Sequence, residues 1–121
     1  MNNRSSIELA RNYVTLSNNH KLDLIKPLFA TDATYHSAFF GGFQGVDAIY
    51  AMMTGFFTRF PDACWEVAAY EAIENNGVAF TFIMAGTDTA TGEQVRRHGL
   101  ERIYFTAEGL IQHIEVGKPE E

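Results

Sequence analysis

The sequence predicts one α+β domain in which three helices pack against one face of an antiparallel sheet. Apolar residues recur with helical spacing in the first half of the chain, and the spacing changes to a strand pattern at Cys64. Three turn signals then separate four strand-like runs: Asn75-Asn76-Gly77, Ala90-Thr91-Gly92 and Ala107-Glu108-Gly109. Connections this short favour an antiparallel meander. A chain of 121 residues can build one core but not two, so residues 1–121 are interpreted as a single domain.

The first two predicted helices occupy residues 5–19 and 22–30. The apolar stripe of the first helix follows a serine N-cap at Ser5 and ends at Asn18-Asn19-His20. The second helix must hold Pro27 in its first turn or kink there, because proline has no backbone N–H. Its inward-facing residues are expected to be Leu24, Ile25, Leu28 and Phe29. A short strand is predicted at residues 33–36.

The third predicted helix begins at Gly45 and is stopped by Pro61. Apolar residues cover nearly its whole circumference: Ile49, Met52, Met53, Phe56, Phe57 and Phe60. A helix that is apolar on all sides is normally buried, so we expect this one to be the central buried helix of the domain.

The four predicted strands cover residues 64–72, 78–87, 95–106 and 110–116. In the second of them, one face is strongly apolar and consists of Val78, Phe80, Phe82 and Met84. The opposite face is hardly polar, although a sheet with solvent on one side should alternate more cleanly. We therefore expect a second copy of the chain to cover the outer face of the sheet, which makes the protein a homodimer.

Composition excludes several classes of partner. The formal net charge is -6, and basic residues are scattered apart from the pair Arg96-Arg97, so neither nucleic acid nor an anionic membrane is an expected partner. The first residues are polar, and no apolar run is long enough to span a bilayer. We therefore expect a cytoplasmic protein.

Metal and cysteine chemistry are also not expected. The four histidines, His20, His36, His98 and His113, lie on separate elements without the spacing of a metal site. The single cysteine, Cys64, cannot form an internal disulfide, and its position suggests an inert core residue at the start of a strand. No phosphate-binding loop is present, and no cofactor is expected.

Three short segments carry a resemblance to a known family. Residues 28–36, LFATDATYH, are similar to a motif "lfadDAtyh" at the first strand, and residues 43–49, FQGVDAI, to a helix start "f.G.dAI". Phe105, Gly109 and Ile111 match a hairpin pattern "F...GkI". In this order they resemble the nuclear transport factor 2-like superfamily, closest to SnoaL-like polyketide cyclases and ketosteroid isomerases, over residues 4–117. The resemblance implies a cystatin-like cone, in which a curved antiparallel sheet wraps round three N-terminal helices.

The resemblance to ketosteroid isomerases also implies candidate catalytic residues. Tyr13 and Glu101 fall where that family has a tyrosine and a protonated acid that form an oxyanion hole. The family's carboxylate base would fall at Ser37, and an unassisted serine cannot abstract a carbon-bound proton near neutral pH. The neighbouring His36 has suitable basicity and is the candidate replacement.

Each of these residues has a structural alternative. Tyr13 could be a core aromatic residue of an amphipathic helix. Glu101 shares a strand face with Gly99, Ile103 and Phe105, but it could instead form an ion pair with Arg97 or Arg102 at a dimer interface. His98 lies on the opposite strand face from Glu101, toward either a pocket or an interface.

A last acidic position resembles a motif of the SnoaL-like cyclases, written roughly "I..hWD". His113-Ile114-Glu115 is similar to it, but it is one residue out of step, and in a regular strand Ile111, His113 and Glu115 would share one face. A solvent-facing His–Glu pair is the alternative interpretation.

These observations support two hypotheses about function. The first is a cofactor-free enzyme with isomerase, cyclase or dehydratase-like acid/base chemistry on a small, apolar, carbonyl-bearing molecule. Its pocket would be lined by Ser37, Phe56, Phe60, Phe80, Phe82, Met84 and His98. The second is a binding or dimerisation domain that kept the fold without the catalytic base. An open pocket that holds Glu101 and Tyr13 favours the enzyme, and a cone plugged by Phe and Met side chains favours the binding domain.

Overall fold

The computed structural model describes the chain from residue 4 to 118 and its side chains from residue 6 to 118. The predicted cap at Ser5 and the chain ends of the predicted domain lie outside the described side chains. The elements in chain order are α1 (Arg4–Asn18), α2 (Leu22–Ile25), a 3₁₀ turn (Lys26–Leu28), β1 (Phe29–Ser37), β2 (Gly41–Gln44), α3 (Val46–Arg59), β3 (Cys64–Val67), β4 (Glu71–Ile73), β5 (Gly77–Thr87), β6 (Gln94–Phe105) and β7 (Ile111–Gly117). The predicted α+β class with a curved sheet and three helices is confirmed. Within residues 4–118 no helix has the length and apolar character needed to cross a bilayer.

The sheet is mixed, which corrects the expectation of a purely antiparallel one. Its strand order is β2-β1-β7-β6-β5-β3, and β4 pairs with β5 beyond the main path. The four predicted runs, of which the first is now β3 and β4, pair antiparallel in sequence order through β5 and β6 to β7. Strand β1, in contrast, runs parallel to β7, with Tyr35 opposite Ile114. A parallel pair needs a long crossover, and the chain between β1 and β7 supplies it.

Two boundaries in the first half differ from the prediction. Pro27 lies in the 3₁₀ turn, which ends the second helix early, so Phe29 and Ala30 begin β1 instead of completing a helix. Leu24 was expected to face inward but is half exposed. The short strand β2 was not predicted, because its Gly41-Gly42 start is typical of a loop; Gly41 has φ +99 and allows the chain to turn back against β1.

Helix α3 is amphipathic, which corrects the prediction of a helix buried on all sides. Only Ile49 and Met53 of its described residues are fully buried. Small and polar residues face outward: Ala48, Ala51, Thr54, Gly55 and Thr58 are exposed. The predicted first long strand is also divided in two, and Cys64 at its start is exposed, not part of the core as expected.

The inner face of the sheet forms the core. Strand alternation places Val78, Phe80, Phe82 and Met84 inward on β5, as predicted, and each is 6% exposed or less. On β7 the register shifts near Ile111, because Phe105 pairs with Ile111 and Tyr104 with His113. This bulge turns Ile111 into the core, so it does not share a face with His113 and Glu115 as a regular strand would require.

Asn18, the last residue of α1, fastens that helix to β3. Its side-chain amide nitrogen donates to the Trp65 carbonyl over 3.0 Å, and its oxygen accepts from the Trp65 N–H over 2.7 Å. His20, just after the helix, lies 2.8 Å from the Ala63 carbonyl. These bonds hold the Trp65 ring at the open end of the space between the helices and the sheet.

Candidate functional site

A narrow cavity lies between α1, α3 and the inner face of the sheet, with a volume of about 70 Å³. Its main lining residues are Tyr13, Tyr35, Ser37, Phe39, Phe40, Met52, Met53, Phe56, Phe57, Trp65, Phe80, Phe82, Met84, Arg97, Glu101 and Val116. Drug-sized ligands occupy pockets of roughly 300–1,000 Å³. The cavity as it stands therefore suits only a smaller molecule, and a larger ligand requires the side chains at the open end to move. Those partly exposed side chains include Phe39, Phe40, Phe56 and Trp65.

Glu101 is the acid of the cavity. Strand β6 places it on the inner face, where it pairs with Phe80 on one side and Val116 on the other, and it is 6% exposed. Burial raises the pKa of Glu101 to about 8, because the charged form loses its hydration. Its carboxyl is therefore mostly protonated at neutral pH and still able to ionise within the working range of an enzyme.

The ion pair considered for Glu101 is not formed among the residues described. Arg97 shares its strand face, but its guanidinium lies over the rings of Phe39 and Phe40 at 4.8 and 5.7 Å from their centroids. Arg102 lies on the opposite face, in register with Glu115. Burial is thus the dominant influence on the Glu101 carboxyl.

Two tyrosine hydroxyls accompany Glu101. Tyr13 projects from α1, is 7% exposed and packs edge-on against Phe29 with ring centroids 6.0 Å apart. Tyr35 projects from β1 into the same cavity. Burial first, and the Glu101 charge second, raise the pKa of both hydroxyls, so both remain protonated donors. Tyr35 was not among the predicted residues, although strand alternation turns it inward whenever Ser37 faces inward.

Ser37 lines the cavity and is 2% exposed. Its Oγ accepts hydrogen bonds from the backbone N–H groups of Phe39 and Phe40, over 3.0 and 3.3 Å. These bonds close the turn after β1 and place the two phenylalanine rings at the open end of the cavity. Ser37 therefore shapes the site through this turn.

His36 lies on the outer face of the sheet, away from the cavity. Its Nδ1 is 2.6 Å from Glu115 Oε2, and His113 Nε2 is 2.9 Å from Glu115 Oε1. Thr34 Oγ1 completes the cluster, 2.7 Å from His113 Nδ1. Burial opposes ionisation of Glu115, but the hydrogen bonds with both histidines outweigh it and lower its pKa. No set of three or more His, Cys, Asp or Glu within the described part of the chain is arranged to hold a metal ion.

His98 and Phe60 also lie outside the cavity lining. His98 is exposed in a groove of about 430 Å³ on the outer face, beside Thr81 and Ile83. Phe60 is buried behind Phe56, with ring centroids 5.0 Å apart. The outer groove is larger, but the buried acid and its donors lie in the inner cavity. That cavity contains the other predicted residues: Tyr13, Ser37, Phe56, Phe80, Phe82, Met84 and Glu101.

Solved structures with the same fold share little sequence with this chain. SalBIII, an epoxide hydrolase/cyclase-like enzyme with a role in pyran ring formation in the polyether salinomycin, superposes with a TM-score of 0.85 at 19% identity, covering 94% of this chain and 90% of that one. A proposed isomerase from Bacillus subtilis has a TM-score of 0.83 at 17% identity, with 97% and 88% covered. An uncharacterised cystatin-fold protein from Novosphingobium aromaticivorans has a TM-score of 0.81 at 15% identity, with 92% and 96% covered.

The family assignment comes from the sequence itself. Among curated proteins, no sequence relative is found. The model of the SnoaL-like domain family matches residues 10–114, a span that runs from within α1 to the middle of β7 and includes every cavity-lining residue except Val116. This span contains Tyr13, Tyr35 and Glu101. The chain therefore belongs to the SnoaL-like domain family.

Proposed function

We propose that this protein is a cofactor-free enzyme that moves a proton on a small, apolar, carbonyl-bearing molecule bound in the cavity, as an isomerase or cyclase does. The observation that carries the proposal is Glu101, a buried acid with a pKa of about 8 that faces an apolar cavity together with two tyrosine hydroxyls. A group whose pKa lies near the working pH is the most effective general acid or base. Desolvated carboxyls of this kind concentrate at functional sites.

Glu101 acts as the proton shuttle in this proposal. Its carboxylate form removes a proton from the carbon next to the substrate carbonyl, and the hydroxyls of Tyr13 and Tyr35 donate hydrogen bonds to the enolate oxygen that forms. The protonated Glu101 then returns the proton to another carbon, or to the oxygen created when the enolate attacks a second carbonyl of the same molecule. No net proton is gained or lost, and neither Ser37 nor His36 is needed as a base.

The isomerase and cyclase classes are consistent with the names of the similar structures. SalBIII is described as cyclase-like, and the Bacillus subtilis protein is a proposed isomerase. Both reactions need one group that gives and takes a proton in a site that excludes water. The lining of this cavity, which is mostly aromatic and aliphatic around one acid, supports that chemistry.

The test is solvent deuterium exchange into the methyl group of acetophenone, a small aromatic ketone, followed by NMR. Wild type should accelerate exchange, and the rate should rise with pH through about 8, because the carboxylate of Glu101 is the active form. Glu101→Gln should abolish the acceleration, and Tyr13→Phe should slow it roughly 100- to 1,000-fold, the usual cost of one oxyanion donor. Glu115→Gln and Tyr104→Phe, on the outer face, are the matched controls and should exchange at the wild-type rate.

The Glu101 variants also show whether Glu101 acts as a proton shuttle or only as a hydrogen-bond donor. If Glu101→Gln and Glu101→Ala are equally inactive, Glu101 is the proton shuttle. If Glu101→Gln keeps much of the activity, Glu101 serves as a hydrogen-bond donor, and the shuttle mechanism is wrong. Binding of acetophenone to wild type without exchange would instead support the second candidate, a non-catalytic binding domain. The narrowness of the cavity favours that candidate, since aromatic side chains fill much of the cone.

We also propose a cytoplasmic homodimer in which the outer faces of two sheets meet. Ile83 and Leu100 lie on neighbouring strands of this face as diagonal neighbours, because Ile83 pairs with His98 and Leu100 with Thr81, and both are only partly buried in the single chain. Light scattering should give twice the chain mass of 13.5 kDa at micromolar concentration. Ile83→Glu should return the protein to one chain mass, whereas Thr54→Glu on the exposed side of α3 should leave the dimer intact. A wild-type protein that scatters as one chain would exclude the dimer.

A further inference from the structure

An uncompensated positive charge stands at the open end of the cavity. Arg97 lines the cavity on the same strand face as Glu101, and its guanidinium lies 4.8 Å from the Phe39 ring centroid. Among residues 6–118, no carboxylate forms an ion pair with it. A guanidinium stays charged in proteins, so this charge has only aromatic rings and solvent to stabilise it.

Asp88, a buried carboxylate, is already paired with a different arginine. Arg59, a second cation whose charge acts on Arg97, is held by Asp88 through two bonds, from Nε over 3.0 Å and from Nη2 over 2.7 Å. Asp88 also accepts a hydrogen bond from the Ala90 N–H over 2.9 Å. Its oxygens are thus committed to Arg59 and to the turn. Glu101 is mostly protonated at neutral pH and offers Arg97 little negative charge.

The spacing of Arg97 and Glu101 defines a ligand with two polar ends. Four residues of extended strand span roughly 13 Å, and the inner-face residue between them is Gly99, whose place is covered by the Phe82 ring. The wall between the cation and the acid is therefore apolar and lacks a side chain that would project from Gly99. Such a wall matches in shape a ligand with a flat apolar body between its two polar ends.

We propose that the cavity takes a small organic anion, whose carboxylate binds the Arg97 guanidinium at the open end while its carbonyl reaches Glu101 and the tyrosines at the closed end. The planar guanidinium presents two parallel N–H donors that match a carboxylate. The incoming anion supplies the pairing that the described chain does not give Arg97. This inference rests on the proposed function, because it uses the same cavity and the same carbonyl position.

The test compares two probes that share one ketone. 4-Acetylbenzoate carries a carboxylate opposite the acetyl group, and 4-acetylbenzamide carries a neutral amide of similar shape. At pH 7.5 and low salt, we expect wild type to bind the carboxylate ~10- to 100-fold more tightly, as measured by calorimetry or NMR titration, since a charge-assisted bond to a partly desolvated cation contributes that much.

The variants assign the preference to Arg97. Arg97→Gln should reduce the affinity ratio of the two probes to about one, and Arg97→Lys should leave an intermediate ratio, because lysine keeps the charge but lacks the fork. Arg96→Gln removes the same charge from the exposed face next to it and should keep the wild-type ratio. Thermal unfolding of each variant confirms that it is folded before binding is compared.

The outcomes separate this inference from the proposed function. Equal binding of both probes to wild type, or a preference that survives in Arg97→Gln, overturns the carboxylate site and leaves Arg97 as a stacking residue. If deuterium exchange occurs without carboxylate preference, only this inference fails. If the carboxylate binds through Arg97 but no probe exchanges, the binding site stands and the enzymatic proposal fails.

Discussion

Replacing Glu101 with glutamine should make the protein more stable than wild type at alkaline pH, and the difference should disappear in acid. In the folded chain the pKa of Glu101 is raised from 4.5 to about 8. Below pH 4.5 the carboxyl is protonated in both folded and unfolded states, so it carries no penalty. As pH rises above that value, the unfolded chain ionises freely while the folded chain resists. Each pH unit in this window then removes about 1.4 kcal/mol of the free energy of unfolding.

The expected loss for wild type relative to Glu101→Gln is therefore about 5 kcal/mol once the pH reaches the folded pKa of about 8. This is a large part of the stability of a small domain, which is roughly 5–15 kcal/mol. Glutamine has nearly the same shape as the protonated acid and no charge to bury, so it does not incur this loss. Urea unfolding at a series of pH values from 4 to 9 measures the difference directly.

Glu115→Gln is the control with the opposite sign. The pKa of Glu115 is lowered in the folded state, despite the opposing effect of burial, by hydrogen bonds with His113 and His36. Its contribution is present above the unfolded pKa and is lost as pH falls through the folded value. Glu115→Gln should thus be less stable than wild type near neutral pH and equal to it in strong acid. A constant difference between wild type and Glu101→Gln across the pH range would show that Glu101 is not desolvated.

The pH dependence also explains why such an acid is a functional candidate. A protein gains no stability from burying a carboxyl that lacks a partner, and natural sequences seldom keep that cost without a use. The same burial that destabilises the fold at high pH gives Glu101 a pKa suited to proton transfer near neutrality. Stability and reactivity are thus two consequences of one position on β6.

Strand alternation was the most informative signal in the sequence. It placed Val78, Phe80, Phe82 and Met84 on the core side and grouped Glu101 with Ile103, because β5 and β6 are long, regular and buried on one face. Each of the three turn signals located one hairpin, namely β4–β5, β5–β6 and β6–β7. Long, strongly periodic segments leave few alternatives, so these elements could be predicted without any three-dimensional information.

Prediction from the sequence failed where tertiary contacts override the local residue pattern. Phe29 continues an apolar helical stripe, but Pro27 and pairing with Ile111 draw it into β1. Helix α3 is rich in large apolar residues because it borders a cavity and an aromatic cluster at its open end, and its far side carries small residues that give little signal. The bulge at Ile111 depends on the register with Phe105, which one strand alone does not reveal.

The site was predicted in part for the same reason. Ser37 faces the cavity, and strand alternation then sends His36 to the outer face and Tyr35 inward, so one observed orientation decides three positions. Before that orientation is known, His36 and Ser37 are equally plausible. Arg97 was not predicted to bind a ligand, because the sequence does not reveal whether a carboxylate of the same chain forms an ion pair with it.

Gly99→Ala should destabilise the protein and narrow the cavity, because the Phe82 ring occupies the space of the missing side chain. A Cβ at position 99 would lie 2.2 Å from Phe82 Cζ and 2.6 Å from Cε2, far closer than atoms pack. The ring is 6% exposed and cannot swing to solvent, so it must shift toward the cavity that it lines. Overpacking of a core by one methyl group costs about 1–3 kcal/mol, measurable by urea unfolding, and acetophenone should bind more weakly.

The predicted clash between a side chain at position 99 and the Phe82 ring can be tested by also changing Phe82. Phe82→Leu alone should destabilise the protein, since it removes part of a buried ring, but it also vacates the space beside Gly99. Adding Gly99→Ala to Phe82→Leu should therefore cost less than adding it to wild type, with a coupling of about 0.5–3 kcal/mol between two residues in contact. Gly117→Ala, a strand glycine with nothing within 4 Å of its Cβ position, should show no such coupling. Additive effects of Gly99→Ala and Phe82→Leu would mean that the ring does not cover position 99. The apolar wall between Arg97 and Glu101 would then need another explanation.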